Sequence, residues 1–137
     1  MIWLYVAAIC CIPIMIIVEV LNGRNFRCGC GNVITLPRAQ KCYCQHLLGP
    51  WSITHIGHGI FFYGVLRSPL EDFPAAGVLA IVIIIESIWE MFENTEIVID
   101  WYRRSGHTRY NGDSVVNSLG DITCCVIGAF VTMLFIG

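Results

Sequence analysis

Polar side chains recur at helical spacing within otherwise apolar stretches of this sequence. Three groups are involved: His55 and His58; Glu86, Glu90, Glu93 and Asn94; and Asp113, Asn117 and Asp121. Residues three or four positions apart lie on one face of a helix, so each group predicts a polar stripe. Imidazole and carboxylate groups suit divalent ions such as zinc, manganese or iron. A carboxylate that binds no ion could act as general base on a metal-bound water.

This chemistry divides the polar residues into three expected roles. The expected metal ligands are His55, His58 and Asp113, the expected catalytic carboxylates are Glu86, Glu90, Glu93 and Asp121, and the expected substrate contacts are Arg103, Tyr102, Asn94 and Asn117. In this interpretation Arg103 holds an anionic head group. The alternatives are a polar core that only joins helices, and an interfacial loop whose basic and aromatic residues anchor it to lipid.

The eight cysteines fall into two sets of four. Those in apolar stretches are expected to pack as small hydrophobic residues: Cys10, Cys11, Cys124 and Cys125. Those in the first loop form two C-x-C pairs, which are Cys28 with Cys30 and Cys42 with Cys44. Four thiols this close fit a separate zinc site, two disulfides or unbonded thiols, although zinc pairs are usually spaced by two to four residues.

Composition indicates whether most of the protein surface faces water. The 137 residues are 56% hydrophobic and 13% charged, with a mean hydropathy of +0.69, whereas soluble domains carry about 25% charged residues. These values exclude a soluble or disordered chain. The net charge of -2 and the lack of basic clusters exclude a nucleic-acid binder.

The apolar stretches predict the elements that carry the polar stripes. A membrane-spanning helix needs about 20 mostly apolar residues, and we expect four spans, at 2–21, 51–66, 75–93 and 114–136. The first lacks the features of a cleaved signal peptide and is expected to be retained. Asp113 is placed to act as N-cap of the last span. The expected fold is all-α: a single membrane domain over 1–137, with four transmembrane helices and a Cys-rich first loop.

Loop charges predict the orientation. Seven of the eight basic residues lie in the first and third loops, and the positive-inside rule makes those loops cytoplasmic. The ionisable residues of the last two spans gather toward the same side, which favours a half-depth cavity over a path across the bilayer. The expected location is the cell or inner membrane.

The order of several motifs resembles a known family. They are Gly23-Arg24, Cys28-x-Cys30-Gly31, Gln45-His46, His55-x-x-His58-Gly59, Phe62-Tyr63, Glu90-x-x-Glu93-Asn94, Ile99-Asp100-x-Tyr102-Arg103 and Gly112-Asp113-Ser114-x-x-Asn117-Ser118-x-x-Asp121. Together they look like domain of unknown function 2585, also called uncharacterised protein family 0314, over roughly Gly23 to Gly128. The resemblance implies a multi-pass membrane protein and supplies no activity. Gly49 stands where the family has an acidic residue, and the second Cys pair is not regular in it. A more distant likeness is to VanZ-like membrane proteins.

Three functions fit the sequence. The first is a metal-dependent intramembrane enzyme, hydrolytic in character, that acts on a lipid or lipid-linked substrate. The second is a non-catalytic scaffold or assembly factor whose Cys-rich loop binds a protein partner. The third is a proton or cation carrier that uses the same groups as a relay. Membrane lipids are expected partners in each case.

Overall fold

The computed structural model describes residues 1–30, 32–34, 46–108 and 110–136. These residues form five helices: α1 (Ile2–Leu21), α2 (Ser52–Arg67), α3 (Ala75–Glu93), α4 (Glu96–Arg104) and α5 (Val115–Ile136). Within those ranges there is no β-strand, only an isolated parallel bridge between Ile34 and Leu48. The expected all-α class is therefore confirmed for the described chain.

Three of the five helices are long and apolar enough to cross a membrane, namely α1, α3 and α5. Their bounds agree with the predicted spans to within one residue. The remaining predicted span corresponds to α2, which has only 16 residues. Arg67, Ser68 and Pro69 stand at its end and interrupt the apolar run. Length and composition thus support three spans rather than the four predicted.

Glycines allow α2 and α5 to pack with their backbones in close contact. A Cβ atom at Gly59 would lie 1.9 Å from the carbonyl oxygen of Cys125, and one at Gly128 would lie 2.1 Å from that of Ile56. Small residues are how membrane helices commonly reach such separations. α3 packs against both α1 and α5. The polar faces of α2, α3 and α5 consequently meet inside the bundle.

The third loop is more ordered than the sequence predicts. We expected an amphipathic interfacial loop with basic anchors between the last two spans, and residues Glu96–Arg104 of it form the nine-residue helix α4. Arg103 and Arg104 occupy its last turn, where cations favour the helix dipole. Gly106 follows with φ of 109°, a conformation suited to glycine just after a helix end.

The first loop begins against the start of α5. The backbone N–H groups of Val115 and Val116 donate to the carbonyls of Asn25 and Phe26 at 3.0 and 3.1 Å. These bonds satisfy N–H groups that a helix N-terminus otherwise leaves without partners. Ser114 occupies the N-cap position, and its hydroxyl accepts from the backbone N–H of Asn117 at 3.2 Å. The predicted cap at Asp113 is therefore displaced by one residue.

The close approach of α2 to α5 leads to a stability prediction. Gly59→Ala is expected to lower the thermal midpoint of the detergent-purified protein, because the new methyl group meets the α5 backbone; overpacking costs about 1–3 kcal/mol. Gly57→Ala is the matched control, since a Cβ there meets nothing within 4 Å. That control should keep or raise the midpoint because alanine favours helix. Equal midpoints for the two variants would contradict the observed helix packing.

Candidate intramembrane metal and substrate site

His55 lies at the centre of a cluster contributed by α2, α3 and α5. Its Nδ1 lies 2.5 Å from Glu86 Oε1 and 3.5 Å from Glu90 Oε1. Its Nε2 lies 3.7 Å from Asp121 Oδ2. Helical spacing on α3 places Glu86 and Glu90 on one face, one turn apart, so both carboxylates reach the same imidazole. The three stripes predicted from the sequence therefore converge on His55.

Glu90 is fully buried and poorly satisfied. Neither of its carboxylate oxygens has a hydrogen-bond partner among the described residues, and the same holds for Oε2 of Glu86. The described ion pairs that involve arginine, Arg24 with Glu96 and Arg103 with Asp100, lie elsewhere. Buried polar groups in proteins almost always have partners. This concentration of carboxylates around one histidine consequently matches the donor set of a divalent cation.

Asp121 is oriented by a hydroxyl from the start of α2. Ser52 donates to Asp121 Oδ1 at 2.7 Å and accepts from the backbone N–H of Gly49 at 2.9 Å. One carboxylate oxygen of Asp121 is thus occupied, and the other faces His55 Nε2. Ser52 was missed in the sequence analysis, although its position three residues before His55 places it on the same helix face.

A second polar layer lies beside the first and is built around Asn94. Its amide group donates to Ser118 Oγ at 3.3 Å and to Glu19 Oε1 at 3.4 Å. Its carbonyl oxygen accepts from the backbone N–H of Asp113 at 2.7 Å. Asn94 therefore ties α3 to α1 and to the start of α5, and it does not line the cavity. Asn94, which the sequence predicted as a substrate contact, therefore lies where it connects helices.

A cavity opens beside the His55 cluster at the end of the bundle formed by the start of α2, the end of α3 and the start of α5. Its volume is about 20 Å³, room for about one water molecule, and it continues into an open mouth. Its lining consists of Gly49, Trp51, His55, Glu93, Tyr102, His107, Tyr110, Asp113, Asn117 and Asp121. The first and third loops surround this end. A cavity with polar lining residues is thus present at this end of the bundle, among the described residues.

Aromatic rings line one wall of the cavity. Trp51 and His107 have ring centroids 6.3 Å apart, His107 and Tyr102 are 5.9 Å apart, and Tyr102 and Tyr110 are 5.0 Å apart. Trp51 and His107 are exposed, whereas Tyr110 is buried. Aromatic rings of this kind prefer the interface between lipid and water. The aromatic wall therefore runs from exposed rings at the mouth of the cavity to a buried ring in its interior.

The other predicted site residues are distributed more widely. His58 Nδ1 lies 3.5 Å from Glu86 Oε1, and its side chain is 36% exposed. Asp113 accepts from the hydroxyl of Tyr110 at 3.0 Å and does not join either group of possible ligands around His55. Arg103 donates to Asp100, to the Tyr110 carbonyl and to Asn111 at 2.7–3.1 Å and does not line the cavity. Its bonds hold the connection from α4 to α5, and an anion-binding role for it stays a prediction.

The Cys-rich loop places two of its four predicted ligands together. Cys28 and Cys30 have sulfurs 3.1 Å apart, and Cys30 Sγ lies 2.8 Å from His46 Nε2. Cys42 and Cys44 lie outside the described residues. His46 was not among the predicted ligands, even though it belongs to a recognised motif and follows Cys44 by two positions.

These features define a helical membrane protein with a buried His–carboxylate cluster beside a one-sided cavity. The family model described as "Protein of unknown function (DUF2585)" matches residues 19–136. The chain belongs to this family, as the motif order indicated. The VanZ-like resemblance is not shown by these comparisons.

Several curated relatives are similar to the chain. It is 36% identical over 129 residues to a UPF0314 protein of Rhizobium johnstonii, covering 92% of this chain and 66% of that protein. It is 36% identical over 129 residues to a UPF0314 protein of Sphingopyxis alaskensis, covering 92% of this chain and 68% of that protein. The chain thus spans about two thirds of the length of these relatives. No solved structure shows significant similarity to it.

Proposed function

We propose that this protein is a metal-dependent membrane enzyme that hydrolyses a lipid or lipid-linked substrate at the mouth of the cavity beside His55. The observation that carries this proposal is the Glu90 carboxylate, which is fully buried with neither oxygen hydrogen bonded among the described residues. A buried carboxyl group without hydrogen-bond partners is destabilising. A divalent cation shared with neighbouring ligands would supply the compensation that the protein side chains do not.

The favoured ligands are His55, Glu90 and Asp121. Each offers one ligand atom, and these three atoms lie within 4.8 Å of one another. His55 and Asp121 also line the cavity, so a cation held there would be reachable from its mouth. Three protein ligands with an open position are the pattern of catalytic rather than structural metal sites. The ligand set suits manganese, zinc or iron.

Glu86 is then a positioning residue rather than a ligand. The 2.5 Å contact between Glu86 Oε1 and His55 Nδ1 fits an imidazole that donates its Nδ1 proton to the carboxylate. That arrangement leaves Nε2, the nitrogen facing Asp121, as the ligand atom. Metal-binding histidines commonly hold their other ring nitrogen against a carboxylate in this way. If His55, His58 and Glu86 held the ion instead, Glu86 would be a ligand. It would then no longer serve only to orient the His55 ring.

The cavity favours a substrate with a lipid portion. Trp51 and His107 at the exposed rim suit the level of lipid head groups. Glu93 lines the cavity and is half-buried, which makes it the favoured general base for a water that attacks the substrate. A metal lowers the pKa of a bound water and so makes hydrolysis feasible at neutral pH. Tyr102, on the aromatic wall, and Asn117, in the cavity interior, are the favoured substrate contacts.

We further infer that α2 is a fourth, shorter span. It packs along α5, which is long and apolar enough to cross the membrane, and two glycine contacts fix that packing. An α2 helix in this position lies at membrane depth for most of its length. With the first and third loops cytoplasmic, as their basic residues favour, the cavity would open toward the cytoplasm.

Equilibrium binding of Mn²⁺ to protein in lipid nanodiscs tests the metal site. Wild type is expected to bind one ion per chain, and Glu90→Gln and His55→Ala are expected to weaken binding at least tenfold, because second-shell changes alone cost 10–100-fold. Glu71→Gln is the matched control, since Glu71 is exposed in the connection between α2 and α3. Binding of no Mn²⁺ by wild type, or equal binding by Glu90→Gln, would rule out this site.

Hydrolysis is tested on the same samples with water labelled with ¹⁸O. Wild type in bacterial polar lipids with Mn²⁺ should transfer the label into a released product detected by mass spectrometry, and Glu90→Gln should transfer none above background. A protein that binds Mn²⁺ and yet transfers no label in these lipids would favour the non-catalytic scaffold.

A further inference from the structure

We propose that Cys28, Cys30 and His46 form a separate structural zinc site that closes the first loop on the start of α5. The ligand atoms are Sγ of both cysteines and Nε2 of the histidine, and each lies within 4.8 Å of the others. This site is independent of the His55 cluster, because it uses none of the same residues and lies outside the helices.

The chemistry of the three ligands is that of a thiophilic ion. Two thiolates and an imidazole supply three of the four sulfur and nitrogen donors of a structural zinc site, whereas manganese and magnesium prefer oxygen. Zinc–sulfur bonds of about 2.3 Å place two tetrahedral sulfur ligands about 3.8 Å apart. The observed separation of 3.1 Å between the Cys28 and Cys30 sulfurs requires them to move apart by less than 1 Å.

Cys28 and Cys30 are not joined by a disulfide in this structure. A disulfide needs sulfur atoms about 2.05 Å apart, which is much shorter than the 3.1 Å between Cys28 and Cys30. Cys30 faces the ring nitrogen of His46 at 2.8 Å, so the histidine approaches the thiol directly. The three groups therefore already point at a common centre.

The backbone around the cluster is held in place by other contacts. The N–H of Leu48 donates to the carbonyl of Val33 at 3.2 Å, which aligns the two ends of the loop. A Cβ atom at Gly120 would lie 1.7 Å from the Leu47 carbonyl oxygen, so this segment lies directly on the α5 backbone. His46 itself is 2% exposed. The His46 side chain is therefore preorganised to bind an ion.

The position of the cluster gives the zinc a structural role. It joins Cys30 to His46 across 16 positions of the chain, and closing a loop by a metal removes freedom from the unfolded state. Gly49 and Trp51, which follow His46 closely, line the cavity near His55. Zinc is therefore expected to hold the cavity wall that the first loop supplies.

Reconstitution with Co²⁺ tests this site, because thiolate ligands give a charge-transfer band in the near ultraviolet that oxygen and nitrogen ligands do not. Reduced wild-type protein in detergent is expected to show this band, and added Zn²⁺ should abolish it. Cys30→Ser and His46→Ala should lose the band and bind Zn²⁺ at least tenfold more weakly. Cys10→Ser is the matched control, since Cys10 is exposed on α1, and it should behave as wild type.

Two further variants separate a metal ligand from a merely structural side chain. His46→Cys should keep the band, because three thiolates also bind zinc, whereas loss of packing alone would not be restored by cysteine. His55→Ala should also keep the band, so failure of the intramembrane metal site leaves this result unchanged. A band that survives both Cys30→Ser and His46→Ala would place the thiolates elsewhere and overturn the assignment. Absence of the band from reduced wild-type protein would overturn the zinc site, and thiols of the unreduced protein that react only after reduction would establish a disulfide instead.

Discussion

Metal-free protein carrying Glu90→Gln is expected to be more stable than metal-free wild type, and this order should reverse when metal is added. Glutamine has nearly the same shape as glutamate and cannot ionise, so it cannot add to the negative charge of Glu86 and Asp121. Neither Glu90 oxygen has a hydrogen-bond partner among the described residues. Relief of the cost of burying this carboxyl group without hydrogen-bond partners is expected to stabilise the metal-free state by about 2 kcal/mol.

Metal should act on wild type in the opposite direction. An ion that binds only the folded protein stabilises it by about 4 kcal/mol when its concentration is about 1,000 times the dissociation constant. The Glu90→Gln variant lacks one of three ligands and should gain far less. Wild type is therefore expected to have the lower apparent unfolding midpoint in EDTA and the higher one in Mn²⁺.

Tryptophan fluorescence during heating in detergent micelles measures both midpoints. Glu71→Gln is again the control, because its side chain is exposed in the connection between α2 and α3; it should follow wild type in both buffers. Equal responses of wild type and Glu90→Gln to Mn²⁺ would exclude Glu90 as a ligand. A lower midpoint for the variant in EDTA would show that the glutamate is satisfied without an ion.

Arg24→Ala is expected to produce the other large effect. The guanidinium of Arg24 donates to the carbonyl of Asn111 at 2.6 Å and to that of Asn22 at 2.8 Å, and it pairs with Glu96. Its side chain is only 8% exposed although the group is charged. One side chain thus joins the end of α1, the start of α4 and the connection that precedes α5.

The local backbone depends on that arginine. Gly112 has φ of 81°, and a Cβ atom there would lie 2.5 Å from Arg24 Nη1, so the connection before α5 is shaped around the guanidinium. Removing it leaves the Asn111 carbonyl without this donor and creates a void. Hydrogen bonds of charged groups contribute about 1.5–3 kcal/mol each, and we expect a total loss of about 3 kcal/mol.

Thermal midpoints and limited trypsin digestion together test this prediction. Arg24→Ala should lower the midpoint and speed cleavage after Arg103 and Arg104, because the connection that follows them loosens. Arg104→Ala, at an exposed position on α4, is the control for the midpoint. Arg24→Lys should lie between wild type and Arg24→Ala, since lysine keeps the charge without the planar fork. An unchanged midpoint for Arg24→Ala would contradict the joining role.

The sequence predicted most of the helical fold but not all of its elements. Runs of apolar residues located α1, α3 and α5 to within one residue, because a hydrocarbon environment requires long apolar helices. The same reasoning predicts only an amphipathic interfacial loop where α4 lies. That helix has mixed polarity, and Ile99 is buried in a small apolar group with Tyr110 and Tyr102, which are contacts that no local pattern reveals.

The sequence by itself determined which residues share a face and that water is not the main solvent. Both properties are local: helical periodicity aligns Glu86 with Glu90 on α3 and Asn117 with Asp121 on α5, and composition sets the environment. Only the tertiary structure decided which faces meet, because the rotation and spacing of packed helices depend on close contacts such as those of Gly59 and Gly128 with their neighbouring helices. Those contacts bring Asp121 to His55 and leave Glu90 without a hydrogen-bond partner among the described residues.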